Sequence, residues 1–496
     1  MCRRSFIRPE QADAFSPASS HDQAYAFQHA ITHEAVYHSL LQATRRDWHE
    51  LTGEAIEALF PDRLDEFLGI LGHHFEHAGV QAKAITYLVR AAERARATFS
   101  NLEAIAFYRC ALTQVDQART DQQSRYQPER DLIVQLHEGL GDVLELNGEI
   151  EAARDQFDQA QETVAGDDRI ARSRLHRKCG STWVLRRDYD KTFEKFQQAE
   201  QELESERTKR DPNWWYEWTQ IQLERMHLFY WLGMSAELNA LASNVQSRLD
   251  EHGTIAQRAK FFMMLALSSL SEHRYVPPEI AVEYAERAVS AAKGCDDPGE
   301  LIHIKFALGF VQLWRGSLDA AIRELGHALQ LSEKIGDIVL QARCLTYLAV
   351  GHRKAGQESP AQSYAERALS TAAPLEMVQY VAMANATLAW VAWKNGDFSA
   401  AQTRAIQALE QWHSMPDPYG FDWMALWPLI GIEHTRKNFT TAIEHMRALF
   451  GPNQHPLPAT VTSAVQRAIE ATENHSPEIE KFIAAALAAA KDAGQH

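Results

Sequence analysis

Along most of the chain, apolar residues recur three or four positions apart, the period of an α-helix with one buried face. Each such run lasts about one helix and ends at a glycine or a polar stretch. The pattern changes only near the N-terminus. There Ser5-Phe-Ile-Arg8 and Ala24-Tyr-Ala-Phe27 read as two short strands around the Pro/Ser-rich segment PEQADAFSPASSHD. The next segment, ITHEAVYHSLLQATRRDWHELTGEAIEALF, returns to helical spacing and predicts a helix.

The helical runs repeat. LGDVLELNGEIEAARDQFDQA (140–160) shares its pattern with segments at 71–91, 179–199, 308–328, 348–368 and 388–408. A small residue on the first helix (Gly72, Gly141, Gly180, Gly309, Ala349, Ala389) precedes one opening the second (Ala84, Ala153, Thr192, Ala321, Ala361, Ala401) by 12 residues each time. Small residues at both places let two antiparallel helices approach closely. Between them Gly79, Gly148, Gly316, Gly356 and Gly396 suit a helix end needing positive φ. Large residues four positions into the second helix point into the stack. This is the tetratricopeptide (TPR) pattern. Degenerate copies span 219–248, 262–292 and 423–449. From Ala153 the anchors run Thr192, Leu238, Ala281, Ala321, Ala361, Ala401 and Ala442, at spacings of 39, 46, 43, 40, 40, 40 and 41. The usual repeat is about 34 residues, so these units are long.

The expected fold is all-α, a TPR-like right-handed superhelical solenoid behind a small N-terminal segment. The boundaries read as 1–62 for that segment with its connecting helix, 63–116 for a first helical-hairpin block, 117–130 for a linker and 131–491 for the solenoid. Polar stretches 116–130 and 204–213 read as loops, and the tail from Pro477 as a capping helix.

Composition agrees with helix and removes some functions. The 496 residues hold only 24 Gly and 17 Pro, and 45% are hydrophobic. Lys+Arg 50 against Asp+Glu 66 gives a formal charge of −16, which argues against nucleic acid or an anionic membrane as the main partner. Five scattered cysteines without a CxxC exclude a disulfide scaffold or zinc finger. No apolar run approaches the roughly 18 residues of a membrane span, and no signal peptide is visible, so the expected location is cytoplasmic.

The segment YAFQHAITHEAVYHSLLQATRRDWHELTGEAIEALFPDRLDEFLGILGHHFEHAGVQAKAITYLVRAAERA (25–95) resembles the junction after the ATPase module of bacterial STAND-type signalling ATPases. Many of these carry a class III adenylate/guanylate cyclase domain. FDWMALWPLIGIEHTRKNFTTAIEHMRALFGPNQHPLP (421–458) resembles the C-terminal end of that cyclase–ATPase–TPR group. The resemblance implies that residues 1–62 are part of a winged helix, with Phe27, His29, Ile31, Glu34 and Tyr37 matching FxHxLxxExxY except for Ile in place of Leu. It also implies that His29 could contact a nucleotide held by a separate ATPase. The chain has no Gly-Lys dipeptide, hence no GxxxxGK[ST] phosphate loop, and no cyclase domain. A truncated gene, a mis-set start codon and a stand-alone arm would each give this pattern.

No catalytic, cofactor or metal set emerges. His33 and His38 are five residues apart and cannot share a zinc as an i, i+4 pair does. His73 and His77 have that spacing but no third ligand, and read as surface histidines. Cys110, Cys179 and Cys344 read as core residues. The basic run Arg169, Arg172, Arg174, Arg177, Lys178, Arg186 and Arg187 is interleaved with aspartates and reads as a solvated face.

The concave surface, lined by first helices, is where a partner is expected. Its candidates are Tyr230, Trp231, Phe306, Phe310, Trp314, Arg353, Lys354, Trp390, Trp393 and Trp427, with His303 and Arg343 beside them. Aromatics with a few cations suit a protein or peptide partner, or an apolar or anionic small effector. The competing reading is that they fill the bore of a tightly curved superhelix. The function expected is a non-catalytic interaction or effector-sensing module of a bacterial signalling protein. The alternatives are a piece of a STAND ATPase or nucleotide cyclase, and the arm of a transcriptional regulator.

Overall fold

The computed structural model describes residues 7–10, 24–27, 29–120, 126–205, 211–295, 298–415, 419–452 and 454–495. It divides into two compact units, Met1–Leu144 with Ala152–Ala165, and Glu145–Glu151 with Gly166–His496.

In the first unit, β1 (Ile7–Glu10) pairs antiparallel with β2 (Ala24–Phe27), Ile7 opposite Phe27. Ser5 and Phe6 lie outside the described residues, and Pro9-Glu10, read as loop, belong to the strand. The ribbon has only edges, where proline is tolerated. The single helix expected next is two: α1 (Ala30–Ser39) and α2 (Gln42–Leu59), with Leu40 and Leu41 extended at ψ 142° and 146°. Tyr37 explains the break. Its hydroxyl meets His49 Nε2 at 2.9 Å, whereas 12 residues along one helix would separate them by about 18 Å.

After a 3-10 turn at Pro61–Glu66 come α3 (Leu68–Ala78), α4 (Gln81–Ala97) and α5 (Asn101–Thr120). Leu71, Phe75, Ala84 and Tyr87 form their core. The block is therefore three helices, and residues 117–120, expected in the linker, are helical. Residues 121–125 lie outside the described residues. α6 (Arg130–Leu146) and α7 (Ile150–Thr163) follow.

The second unit holds helical hairpins in succession: α8 (Arg169–Leu185) with α9 (Tyr189–Ser205), α10 (Pro212–Trp231) with α11 (Ser235–His252), and α12 (Ile255–Glu272) with α13 (Glu279–Ala291). Next are α14 (Pro298–Arg315) with α15 (Leu318–Ile335), α16 (Ile338–Lys354) with α17 (Glu358–Ala372), and α18 (Val378–Lys394) with α19 (Phe398–His413). The last are α20 (Trp423–Thr435) with α21 (Phe439–Ala448), and α22 (Ala459–Glu473) with α23 (Ile479–Asp492). The first helices α8, α10, α12, α14, α16, α18 and α20 each pack on the next, forming the inner row. The fold is a TPR-like solenoid. The single capping helix expected at the end is one arm of the α22–α23 hairpin. Asn213, read as loop, lies inside α10, which Asp211 caps by accepting from the Trp214 N–H. No described helix is long and apolar enough to cross a membrane.

The repeat grammar has a direct physical cause. A Cβ added at Gly141 would lie 2.5 Å from Phe157, at Gly180 2.7 Å from Phe196, and at Gly309 2.8 Å from Leu325. Each neighbour is the large residue four positions into the second helix. Gly309 also faces the Leu325 backbone nitrogen, at 3.0 Å, which cannot rotate away. Gly309→Ala is therefore expected to cost about 1–3 kcal/mol, read as a lower urea midpoint with unchanged m. Seven positions after the small residue the helix ends with φ between 71° and 88° at Gly79, Gly148, Gly316, Gly356 and Gly396. At the same repeat position in α8–α9 stands Arg187, at φ 55°.

Candidate functional site

The inner row of the second unit carries a continuous aromatic wall. At its start Trp231 Nε1 donates to His227 Nε2 at 2.9 Å, and Tyr230 lies 5.4 Å from Trp231, ring to ring. On α14 Phe306 stacks on Phe310 (5.7 Å), and Phe310 meets Tyr347 of α16 edge-on at 4.6 Å. Tyr347 leads to Tyr380 of α18 at 6.2 Å. From Phe310 the wall turns through Tyr275 to Trp314, which stacks on Phe421 at 4.9 Å. Tyr419 adjoins Phe421 at 5.2 Å. Burial, the largest cause, pushes the Tyr230, Tyr275, Tyr347 and Tyr419 phenols upward, so all four stay protonated.

Charge is set into this wall. Arg177 Nε donates to the buried Glu217 at 2.6 Å, and Lys260 Nζ to Glu224 at 2.6 Å. Although burial opposes its ionisation, Lys260, His227 and Arg177 hold the Glu224 carboxyl down at about 2. Arg343 lies over Phe306, its guanidinium carbon 4.4 Å from the ring centre, and 5.9 Å from Trp231. His303 is exposed to solvent, yet burial, then Lys260, Arg343 and His227, push its pKa down to about 3. The charged neighbours that act on it come from α10, α12 and α16.

The expected site residues divide. Tyr230, Phe306, Phe310 and Trp314 belong to the wall, but are only 8%, 2%, 3% and 7% exposed, so they are floor and not protruding contacts. Trp231 and Lys354 are partly exposed. Lys354 borders a cavity of about 540 Å³ with Tyr275, Trp314, His455 and Asp492. Burial, then Arg353, lower its ammonium to about 8.

Arg353, Trp390 and Trp427 are corrected as exposed contacts: 2%, 0% and 0% exposed, they are packing residues. Arg353 donates to the carbonyls of Ala386 (3.0 Å) and Met424 (2.8 Å) between the Trp390 and Trp423 rings. Trp390 packs on Ala361, and Trp393 sits where a Cβ on Gly431 would fall 2.2 Å from its ring. His29 lies in the first unit, exposed, at the N-cap of α1 without a side-chain capping bond.

Other expectations shift too. Within the basic run, Arg169 and Arg172 both pair with Glu202 (2.6 and 2.8 Å), and Arg186 with Glu151 and Glu376, so that face is charge-neutralised more than solvated. Cys179 and Cys344 are buried, but Cys110 is partly exposed. His73 and His77 are exposed, as expected, with their rings 4.1 Å apart, and His49 of α2 meets His74 Nδ1 to Nδ1 at 2.9 Å. Burial, then His74, His77 and His73, push the His49 pKa down to about 4. Among the described residues no group of three or more His, Cys, Asp or Glu is arranged to hold a metal ion.

Sequence reasoning missed Tyr275, Tyr419 and Phe421 because they sit in the connections, where no period marks them. It also missed Lys260 and Glu224, whose helices belong to degenerate repeats.

No family model matches the sequence. No curated protein matches it either. Among solved structures, the chain is similar to a Rap protein complexed with competence and sporulation factor, at 11% identity and TM-score 0.46, over 81% of this chain and 99% of that one. It is similar to aspartyl phosphate phosphatase F from Bacillus subtilis at 16% identity and TM-score 0.43, over 74% of this chain and 93% of that one. It is also similar to a signal transduction ATPase with numerous domains (STAND) that has a tetratricopeptide repeat sensor, from Pyrococcus horikoshii. That match has 13% identity and TM-score 0.44, over 94% of this chain and 68% of that one. Each is a likeness of fold alone.

Proposed function

We propose that the chain is a non-catalytic TPR module that senses a peptide or small effector on the inner row of its second unit. The aromatic wall running from Trp231 to Tyr419, with the partly exposed Trp231 and the exposed His303 on its helices, carries this reading. Such walls give apolar contact area at low conformational cost, and the paired charges within them fix orientation. The resemblance of residues 25–95 to the post-ATPase junction supports a role in a STAND-type signalling system, acting with an ATPase or cyclase partner. The β1–β2 hairpin followed by α1 supports a partial winged helix there.

The test is a thermal-shift and intrinsic-fluorescence screen of the full chain against nucleotides, sugars and peptides, with Trp231→Ala as control. A ligand that raises the melting temperature and loses at least roughly tenfold in affinity in the variant is expected, since a contacting aromatic is worth over about 1.4 kcal/mol. Hits indifferent to Trp231→Ala would remove the inner row as the site. ATP hydrolysis by the purified chain would end the non-catalytic reading.

A further inference from the structure

The charges of the inner row are not all satisfied by protein. Arg177 faces Glu217, and Lys260 faces Glu224. Arg353 spends both terminal nitrogens on main-chain carbonyls and leaves only its Nε without a partner. Arg343 differs in having no main-chain carbonyl at its terminal nitrogens: its Nε has no hydrogen-bond partner, and no carboxylate among the described residues lies within ion-pair distance of its guanidinium. Asp337, which acts on it through space, is committed elsewhere, its Oδ1 accepting from the Leu340 N–H at 2.8 Å to cap α16. The surroundings of Arg343 are Phe306, Trp231, the Tyr230, Tyr347 and Tyr380 phenols, and the imidazoles of His227 and His303. None of these supplies a negative charge near neutral pH.

A cation largely withdrawn from water without a counter-charge is costly, and folded proteins pair such groups or use them. Repeat register makes the placement specific. His303, Arg343 and Met383 stand at the same position of α14, α16 and α18, six residues before the small residue, at 40-residue intervals. The cation thus occupies one rung of a ladder whose neighbours are an imidazole and a thioether. The fixed fork of a guanidinium matches a carboxylate in two parallel hydrogen bonds. Phe306 beneath it and Trp231 beside it provide apolar surface for the group carrying that carboxylate.

Resting on the inner-row reading above, we infer that Arg343 is an anion anchor that receives a carboxylate of the bound molecule, flanked by an apolar or aromatic substituent. A peptide C-terminus and a free aromatic acid present the same chemistry, and the experiment separates them.

The full chain is incubated with a random hexapeptide library bearing free C-termini and with the same library amidated. Retained peptides are read by mass spectrometry after size exclusion. Phenylacetate is titrated in parallel by calorimetry. Selective retention of free-acid peptides, or binding of phenylacetate, is expected, and identifies the source. Arg343→Met is expected to weaken that binding on the order of ten- to a hundredfold, the worth of a charge-assisted hydrogen-bond pair, with Arg343→Lys intermediate. Without ligand, Arg343→Met is expected to raise the melting temperature, because an uncompensated charge is removed. A lower melting temperature in Arg343→Met, restored in Arg343→Lys, would make the residue structural and overturn the anchor. Equal retention of amidated peptides would overturn the anchor while leaving the inner row a ligand site. Failure of every probe to bind the native chain would overturn both.

Discussion

Arg353→Ala is expected to destabilise the second unit by about 3–5 kcal/mol, the range for emptying a large buried site. Arg353 is among the largest fully buried side chains and joins three inner helices: it starts on α16 and donates to carbonyls of α18 and α20. Truncation leaves a void between the Trp390 and Trp423 rings and removes both hydrogen bonds. Charge contributes less than volume. Burial pushes the guanidinium down to about 9, so its charge is held at a cost, and among the described residues no carboxylate lies within ion-pair distance of it. Arg353→Met, which fills most of the volume without the charge, is therefore expected to recover most of the loss. Urea melts followed by tryptophan fluorescence compare the two. A methionine variant as unstable as the alanine one would show that the two hydrogen bonds, not the packing, hold this junction.

The position of Arg353 also shows what was legible in the sequence. The repeat pattern located most of the hairpins, the close helix approaches and the glycine turns, because each follows from local spacing. The same register could have shown that Arg353 is buried. It stands four residues after the small residue of α16, where α14 has Leu313, fully buried, and α18 has Trp393 against Gly431. A position occupied by leucine in one repeat faces packing, even when the next repeat puts arginine there. Residue type suggested an exposed contact, and repeat position overrode it. Elsewhere local pattern had no access to the answer. The α1–α2 break depends on Tyr37 reaching His49, and the aromatic wall closes through Tyr275, Tyr419 and Phe421, which come from connections far apart in sequence. In the 1–62 segment the two strands and the helical stretch were legible, but the pairing register and the break between α1 and α2 were not.

Mild acid is expected to destabilise the protein well above the pH at which carboxylates titrate. His455 is 7% exposed, and its Nδ1–H donates to the Arg274 carbonyl at 2.8 Å, tying the α12–α13 connection to the α21–α22 connection. Burial, then Lys354 and Arg274, lower its pKa from 6.5 to about 4 although the hydrogen bond works the other way. His227, held down to about 4 by burial and neighbouring cations, behaves alike. The native chain thus binds fewer protons than the unfolded one between these values, and stability rises with pH across the interval. The contribution is complete above about 6.5 and is lost as pH falls towards 4. At about 1.36 kcal/mol per pKa unit, the drop of His455 corresponds to about 3 kcal/mol lost at the acid end. In the first unit His49 follows the same direction, with a smaller effect because its ring is partly exposed and screened. Asp337 and Asp422, whose carboxyls burial raises, take up protons in the native state and offset part of this. Melting temperature measured from pH 7.5 to 4.5 should fall continuously. His455→Asn, which keeps a donor for the Arg274 carbonyl but cannot titrate, should flatten the slope at a modest cost at pH 7.5. An unchanged slope in that variant would place the acid sensitivity on the other histidines, and a flat native profile would mean that these rings take up protons without opposing the fold.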